Sequence, residues 1–521
     1  MSDRVQPPFD GVVYQIYPRS FRDTDGDGVG DLEGIRRHLD HLAWLGVDAV
    51  WLSPIYRSPM ADFGYDVADH TDVDPLFGTL EDADRLIAEA HERGLQVWLD
   101  FVPNHTSDQH PWFQASRSSR DDPKRSWYVW RDPAPDGGPP NNWMAHFPPD
   151  RPAWTYDEPT GQYYLHQFLP QQPDVDWDEP ELAAAMHDVL RFWLERGVDG
   201  FRADVVHLIG RDPDYPDDPE HLLPAGRAGY HDHPRTLEHL RGIRAVMEAH
   251  GGLMVGEVNL PDPSRVAAHV GPEALHLGFY FGLIGAPWDA AAWREVIGDA
   301  DAAFLAQGAW PTWVLGNHDS PRPRTRFGGS EARARSAAVV LLTLRGVPFV
   351  YAGDELGLED AEVPDDRVVD PGGRDGCRAP LPWVPDEGHG WAGEPWLPFA
   401  PDAAARAVAV QRDDPSSVLH LHRRLLAHRR DSPALVRGDQ GLLDLHPEVL
   451  AFHRTFAADE RLVLCNLGDD DLEVDLPDPA NDPGAPWTIA VASDGAGEGA
   501  TFSGRLARDH AVVLAPGSGS R

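Results

Sequence analysis

The sequence predicts an α/β fold: a (β/α)8 TIM barrel with a small inserted domain after strand 3 and a C-terminal antiparallel β domain. Eight short apolar runs lie along residues 12–355, without the polar alternation of half-exposed strands. Such runs are what parallel strands covered on both faces look like. Helical patterns separate most of them, and strand–helix alternation repeated eight times closes a barrel.

The runs are VVYQIYP (12–18), DAVWLSP (48–54), QVWLDFVP (96–103), GFRADVV (200–206), LMVGEV (253–258), HLGFYF (276–281), TWVLGNHD (312–319) and VPFVYAGDE (347–355). Between the first two, Leu32, Ile35, Leu39, Leu42 and Leu45 recur at helical spacing and stop at Gly46. Segment 80–94 ends on Gly94 in the same way, and 180–197 and 234–251 each begin with proline and end with glycine. The rhythm breaks at 104–175, an aromatic, proline-rich stretch too long for a simple loop, which reads as an inserted domain. A second irregular stretch, 356–405, follows the eighth run. Beyond about 440, runs such as VLAFHRTF (449–456) and RLVLCNLG (461–468) alternate with polar turns, the pattern of a small antiparallel domain. The expected division is barrel 1–103, insertion 104–175, barrel 176–440 and a β-sandwich domain 441–521.

Composition narrows the function. The 521 residues are 41% hydrophobic with 18 Trp, enough for a substantial core. A net charge of -40 repels nucleic acid and anionic membrane, so neither is an expected partner. No window approaches the roughly 20 apolar residues of a membrane span. Cys377 and Cys465 are too few for a disulfide framework. The start, MSDRVQPPFDG, lacks the apolar run of a signal peptide. The expectation is a cytoplasmic protein acting on a small molecule, with no oligomeric state assigned.

A barrel's chemistry sits at the C-terminal ends of its strands. Strand 3 ends in Asp100, then Asn104 and His105; strand 4 carries Arg202 and Asp204; strand 5 ends at Glu257; strand 7 ends in Asn317, His318 and Asp319. Each acid alone reads best as a solvated strand end or an ion-pair partner. Three converging on one mouth beside an arginine do not, because buried carboxylates are costly unless arranged. Two carboxyl groups flanking a scissile bond are the machinery of glycoside hydrolysis. One attacks, and the other, with a raised pKa, protonates the leaving oxygen.

The chain resembles the α-amylase family, glycoside hydrolase family 13, and within it the α-glucosidase and oligo-1,6-glucosidase branch. The resemblance rests on DFVPNH (100–105), GFRADVVHL (200–208), GEVNL (256–260) and GNHDSPRPRTRFG (316–328), supported by VYQIYPRSF (13–21), SPMADFGYDV (58–67), LRGVPFVYAGDELGL (344–358) and GGRDGCRAPLPW (372–383). It implies Asp204 as nucleophile, Glu257 as acid/base and Asp319 as the third acid, which grips sugar hydroxyls. Arg202 matches the arginine beside the nucleophile. His105 and His318 match histidines that bond the first-subsite sugar, and Tyr65 the platform beneath it. Asp62 and Arg378 match a pair closing the pocket around the non-reducing end, with Arg374 four residues before the latter. Phe168 matches a pocket wall, the alternative being core packing. His207 reads as structural.

The loop DTDGDGVGDL (23–32) places acids at alternating positions between glycines. Hard cations take oxygen ligands at such spacing, so Asp23, Asp25, Asp27 and Asp31 offer carboxylates and Val29 a carbonyl. Position twelve is Gly34, which departs from an EF-hand. The resemblance implies a structural Ca2+ or Mg2+ here; the alternative is a bare acidic turn whose charges repel.

Val205, after the nucleophile, resembles α-1,6-acting members, and the Asp62–Arg378 pair implies attack from the non-reducing end. The implied activity is a retaining, exo-acting α-glucosidase on short gluco-oligosaccharides. The rivals are a transglucosylase or sucrose- or maltose-isomerising enzyme on the same scaffold and, more remotely, a catalytically inactive binding subunit.

Overall fold

The computed structural model of the chain describes residues 6–147, 151–219, 229–370, 372–481 and 484–517. Each of the eight predicted runs contains one strand of a closed parallel barrel: β1 Val13–Ile16, β2 Ala49–Leu52, β3 Gln96–Phe101, β4 Gly200–Ala203, β5 Leu253–Gly256, β6 Leu277–Tyr280, β7 Thr312–Val314 and β8 Val347–Tyr351. They follow one another round the ring, with β1 closing on β8.

Side chains alternate along a strand, so one row faces the barrel axis. The inward row is apolar at its lower level: Val13, Ala49, Trp51, Trp98, Val255, Leu277, Phe279, Val314, Val347 and Phe349 form one cluster. Gly200 completes that level because a Cβ there would meet the Trp98 ring at 2.8 Å. The outward row packs against the helices in the main core, which includes Val50, Val97, Leu99, Phe101 and Phe201. Helices Leu80–Glu92, Pro180–Glu195 and Arg235–His250 occupy the predicted patterns. The first pattern forms two short helices, Leu32–Arg37 and Leu39–Leu45, meeting at His38. Thr79 and Asp82 build a capping box on the Leu80 helix, and Gly46 ends its helix in the left-handed region that glycine adopts freely.

The insertion carries helix Pro111–Ser118 and a three-stranded antiparallel sheet of Trp130–Arg131, Gln162–Leu165 and Trp154–Asp157. A second excursion follows β2, where strands Tyr56–Arg57 and Asp69–Val73 pair and hold out the loop bearing Asp62 and Tyr65. Beyond helix Val418–Asp431, a five-stranded antiparallel sheet runs between Asp439 and Pro516. A two-stranded pair, Leu472–Glu473 with Arg505–Leu506, lies over it around Val449, Leu464, Trp487 and Val512. Among the described residues no helix is long and apolar enough to cross a membrane.

Candidate active site

The polar site grows out of the inward row of the barrel. Two residues above Trp98 stands Asp100, two above Gly200 stands Arg202, and two above Val255 stands Glu257. Asp100 and Arg202 are register partners across β3 and β4, so their side chains emerge side by side. Asp204 and Glu257 take the next positions; their amides continue the ladder to Phe101 and Ala203 carbonyls at 2.8 Å each.

Arg202 is the hub. Its Nη1 donates to Asp100 Oδ1 and Asp204 Oδ1 at 2.7 Å each, and its Nη2 donates to Glu257 Oε2 at 2.5 Å. The arginine is 3% exposed. Burial disfavours its charge, but Asp100, Tyr65, Glu257 and Asp204 more than restore it. Burial pushes the Asp204 carboxyl up; Arg202 pulls it down, and Glu257, Asp100 and Asp319 push it up further. Burial likewise raises Asp100 to about 6 against the pull of Arg202 and the Trp51 indole. Carboxyls crowded around one buried guanidinium do not all ionise cheaply, and burial and mutual repulsion push Asp100 and Asp204 upward against the pull of Arg202.

Asp319 lies in a second cationic grip. Its Oδ1 accepts from Arg374 Nη1 at 2.9 Å and Arg378 Nη2 at 3.0 Å. Burial raises its carboxyl, but the Arg374 and Arg378 guanidinium groups that donate to it outweigh this and hold it well below the usual carboxylate range. The Tyr65 ring stacks on His318 at 5.4 Å and 6°, with its hydroxyl 2.7 Å from His318 Nε2. His105 packs against Phe168 at 5.2 Å and meets Gln172 Nε2 at 3.1 Å from its own Nε2. Burial lowers both histidines to about 3, so both are neutral at physiological pH.

These groups line a cavity of about 360 Å³, within the range of small-ligand sites. Asp62, Tyr65, His105, Phe168, Asp204, Glu257 and Asp319 all face it. Arg202 and His318 stand directly behind that surface, bonded to residues that form it. Phe168 therefore forms a wall as well as packing with Trp143 and Tyr230 in the insertion's core.

The predicted closing pair is corrected. Asp62 Oδ1 accepts from Arg374 Nη2 at 2.9 Å, and Arg374 faces the cavity. Arg378 is 1% exposed and lies beneath, donating to the His318 carbonyl and to Asp319. The four-residue separation, spanned by the 3-10 turn Asp375–Arg378, puts one arginine at the mouth and the other in the wall. His146, Phe147, His231 and Asn259 also line the cavity, and Gln172 donates to Asp62 Oδ2 at 3.2 Å; none of the five is among the residues expected from the sequence. All lie in irregular segments where periodicity says nothing. His207 is not only structural: it lines the cavity, with Nδ1 3.2 Å from the Glu257 carbonyl. Val205 adopts φ 35 and ψ 38, a strained conformation for a β-branched residue, and its amide donates to Glu257 Oε2 at 3.2 Å.

The acidic loop brings Asp23, Asp25 and Asp27 together, with one carboxylate oxygen of each within 4.8 Å of the others. Asp23 is fully buried and accepts from the amides of Gly26 and Gly393 at 2.7 Å each. Gly28 has φ 86, and a Cβ there would strike the Glu394 carbonyl at 2.1 Å, so the loop closes against the segment after β8. Burial raises Asp27, the Val29 amide lowers it, and Asp25 and Asp23 raise it again. Asp31 departs from expectation. One of its oxygens caps helix Leu32–Arg37 through Gly34 N, and the other accepts from Thr24, so it stands outside the group of three. Three converging oxygen donors, one of them buried, fit a hard cation.

The comparisons agree with this geometry. A family described as the α-amylase catalytic domain matches residues 15–438. A probable α-glucosidase of Rhizobium meliloti is 43% identical over 505 residues, covering 89% of this chain and 90% of its own. An oligo-1,6-glucosidase of Parageobacillus thermoglucosidasius is 36% identical over 519 residues, covering 90% and 92%. The crystal structure of an α-glucosyl transfer enzyme superposes with a TM-score of 0.90 at 40% identity, covering 98% of this chain and 100% of that one. A barrel whose strand ends gather Asp204, Glu257 and Asp319 around Arg202, matched along most of its length, belongs to the α-amylase family, glycoside hydrolase family 13, and is an enzyme.

Proposed function

We propose that the chain is a retaining, exo-acting α-glucosidase that cleaves terminal α-glucosidic bonds of short gluco-oligosaccharides. The observation that carries this reading is one buried guanidinium holding Asp204 and Glu257 on adjacent nitrogens. In retaining glycosidases the two working carboxyls lie about 5–5.5 Å apart, and a shared arginine keeps such a pair close. Asp204 attacks the anomeric carbon while Glu257 delivers a proton to the departing oxygen. The Asp204 carboxylate and the sugar carbon form a covalent glycosyl-enzyme. Water, deprotonated by Glu257, breaks that bond and releases α-glucose. Asp319, kept ionised by Arg374 and Arg378, accepts hydrogen bonds from sugar hydroxyls. The Arg374–Asp62 bridge blocks chain continuation past the terminal glucose, which supports exo action.

The α-glucosyl transfer enzyme among the structural relatives favours a second reading, transfer of the glucosyl unit to a sugar acceptor. Both readings share Asp204 and Glu257 and differ in what breaks the intermediate. The inactive-subunit reading loses ground because all three acids face one cavity. The acidic loop is read as a structural Ca2+ or Mg2+ site held by Asp23, Asp25 and Asp27, which would tie the segment after β1 to Gly393 and take no part in the chemistry. Two buried, unpaired cysteines support a reducing, cytoplasmic setting.

The test is turnover of maltose, isomaltose, sucrose, trehalose, nigerose and kojibiose at low and high sugar, with Asp204→Asn alongside. Glucose from at least one sugar, absent with Asp204→Asn, is expected. New oligosaccharides or sucrose isomers dominating at low sugar would favour transfer, and no turnover of any sugar would overturn both.

A further inference from the structure

His318 connects the two halves of the site, and its hydrogen bonds have one consistent direction. Its Nε2 lies 3.2 Å from Asp319 Oδ2 and 2.7 Å from the Tyr65 hydroxyl. A bare, electron-rich Nε2 that close to an ionised carboxylate would be repelled by it, so Nε2 carries the hydrogen, which points to the Tyr65 oxygen. Burial keeps the ring neutral, which leaves Nδ1 as a bare acceptor. Gln15, on β1, fills that need: its Nε2 donates to His318 Nδ1 at 2.8 Å and to Ser53 Oγ at 3.4 Å. Gln15 is 2% exposed and stands in the inward row two residues above Val13. With the direction set there, His318 donates to the Tyr65 oxygen. Tyr65 donates to Asp100 Oδ2 at 3.3 Å, and Asp100 accepts from Arg202.

We infer that Gln15 is a positioning residue for glucoside cleavage, fixing the His318 tautomer that keeps the hydrogen on Nε2, beside Asp319 and aimed at the Tyr65–Asp100–Arg202 chain behind Asp204. The inference rests on the glucosidase reading. It requires only the amide of Gln15 and no contact between Gln15 and the sugar. His318 is faced by Asp319 on its own loop, Tyr65 after β2, Arg202 on β4, and Arg374 and Arg378 after β8. Tyr17 stacks on its other face at 5.6 Å. Among these neighbours, the group that meets Nδ1 is Gln15.

The test is the pH profile of kcat and kcat/KM for Gln15→Glu and Gln15→Leu, read on whichever sugar the wild type turns over. In Gln15→Glu, residue 15 and His318 share one proton at low pH. Whichever of them holds it, Nε2–H remains. As pH rises the proton leaves, the carboxylate draws the remaining ring hydrogen to Nδ1, and Nε2 is left bare beside Asp319 and without a hydrogen for Tyr65. The expected result is near-wild-type kcat at low pH and an alkaline limb displaced downward by about one pH unit or more. Gln15→Leu removes the donor and should lower kcat about tenfold at every pH without moving the limb. A Gln15→Glu profile that superposes on the wild type overturns the inference, as does a loss by the same factor at all pH, which a merely structural role would give. The isosteric glutamate keeps the test decisive if the leucine variant does not fold. Wild-type turnover is the control that separates this inference from the glucosidase reading: its absence would count against the latter.

Discussion

Arg374 reaches across the cavity mouth to Asp62, with Nη2 2.9 Å from Oδ1, joining the loop after β2 to the loop after β8. The same guanidinium holds Asp319 and Asp370, so one side chain both shuts the pocket and fixes the third acid.

Arg374→Ala should lower kcat/KM for disaccharides by roughly 10- to 100-fold, the size expected for losing charge-assisted bonds worth about 1.5–3 kcal/mol. It should also raise activity on longer oligosaccharides relative to disaccharides, because the blocked end opens. Arg378→Ala should instead act first on stability, since it leaves Asp319 and the His318 carbonyl short of a buried donor. Steady-state kinetics and melting curves on both variants separate the two roles.

Arg202→Met should abolish most activity, by at least about a hundredfold, because charge developing on Asp204 and Glu257 loses its partner. Removing one member of a buried ion cluster also costs about 3–5 kcal/mol of stability. The deficit should widen from pH 5 to pH 8, as Asp100 and its neighbours are pressed to ionise without a cation. A Tm deficit independent of pH would count against Arg202 as the cation that offsets the buried charge of Asp100 and Asp204.

Glu355, buried after β8, accepts from the Tyr14 hydroxyl at 2.7 Å and the Gly353 amide at 2.8 Å. Burial raises it from 4.5 to about 7, against the pull of those two bonds. A carboxyl raised on folding binds more protons in the native state than in the unfolded one between those two values. Its stabilising contribution is therefore complete below about pH 4.5 and is lost as pH rises toward 7. The loss amounts to at most about 3 to 4 kcal/mol at about 1.4 kcal/mol per pH unit. Glu355→Gln should flatten the fall in Tm between pH 5 and pH 8, which calorimetry at fixed ionic strength would measure.

Stripping divalent ions with a chelator should lower Tm, and adding back Ca2+ or Mg2+ should restore it. Asp25→Ala should remove the response, because Asp25 is an exposed member of the group whose loss leaves no buried donor unpaired. Initial rates measured well below Tm should change little. An ion-independent Tm in the wild type would identify a bare acidic turn.

Much of this architecture was legible in the amino-acid order. Parallel strands buried on both faces are unbroken apolar runs, so VVYQIYP and its seven counterparts stand out, and each contains one barrel strand. Asp100, Arg202, Asp204 and Glu257 were legible because polar residues at the ends of apolar runs have few other reasons to be there. The exchange of Arg378 for Arg374 was not legible. Which arginine meets Asp62 depends on a short 3-10 turn in an irregular loop, and no periodic pattern records it. Gln172 and His146 escaped for the same cause: each is one polar residue in an irregular segment of the insertion, and only the folded chain brings it to Asp62 or to the cavity. Asp31 shows the converse. Its spacing matches a ligand set, yet a helix starts at Leu32 and takes Asp31 as its cap.

The most direct measurement is to trap the intermediate with a fluorinated glucosyl fluoride that loads quickly and releases slowly, then locate the label by peptide mass analysis. One glucosyl unit esterified to Asp204 is the expected result. A label on another carboxylate, or sugar release with no covalent species, would contradict it.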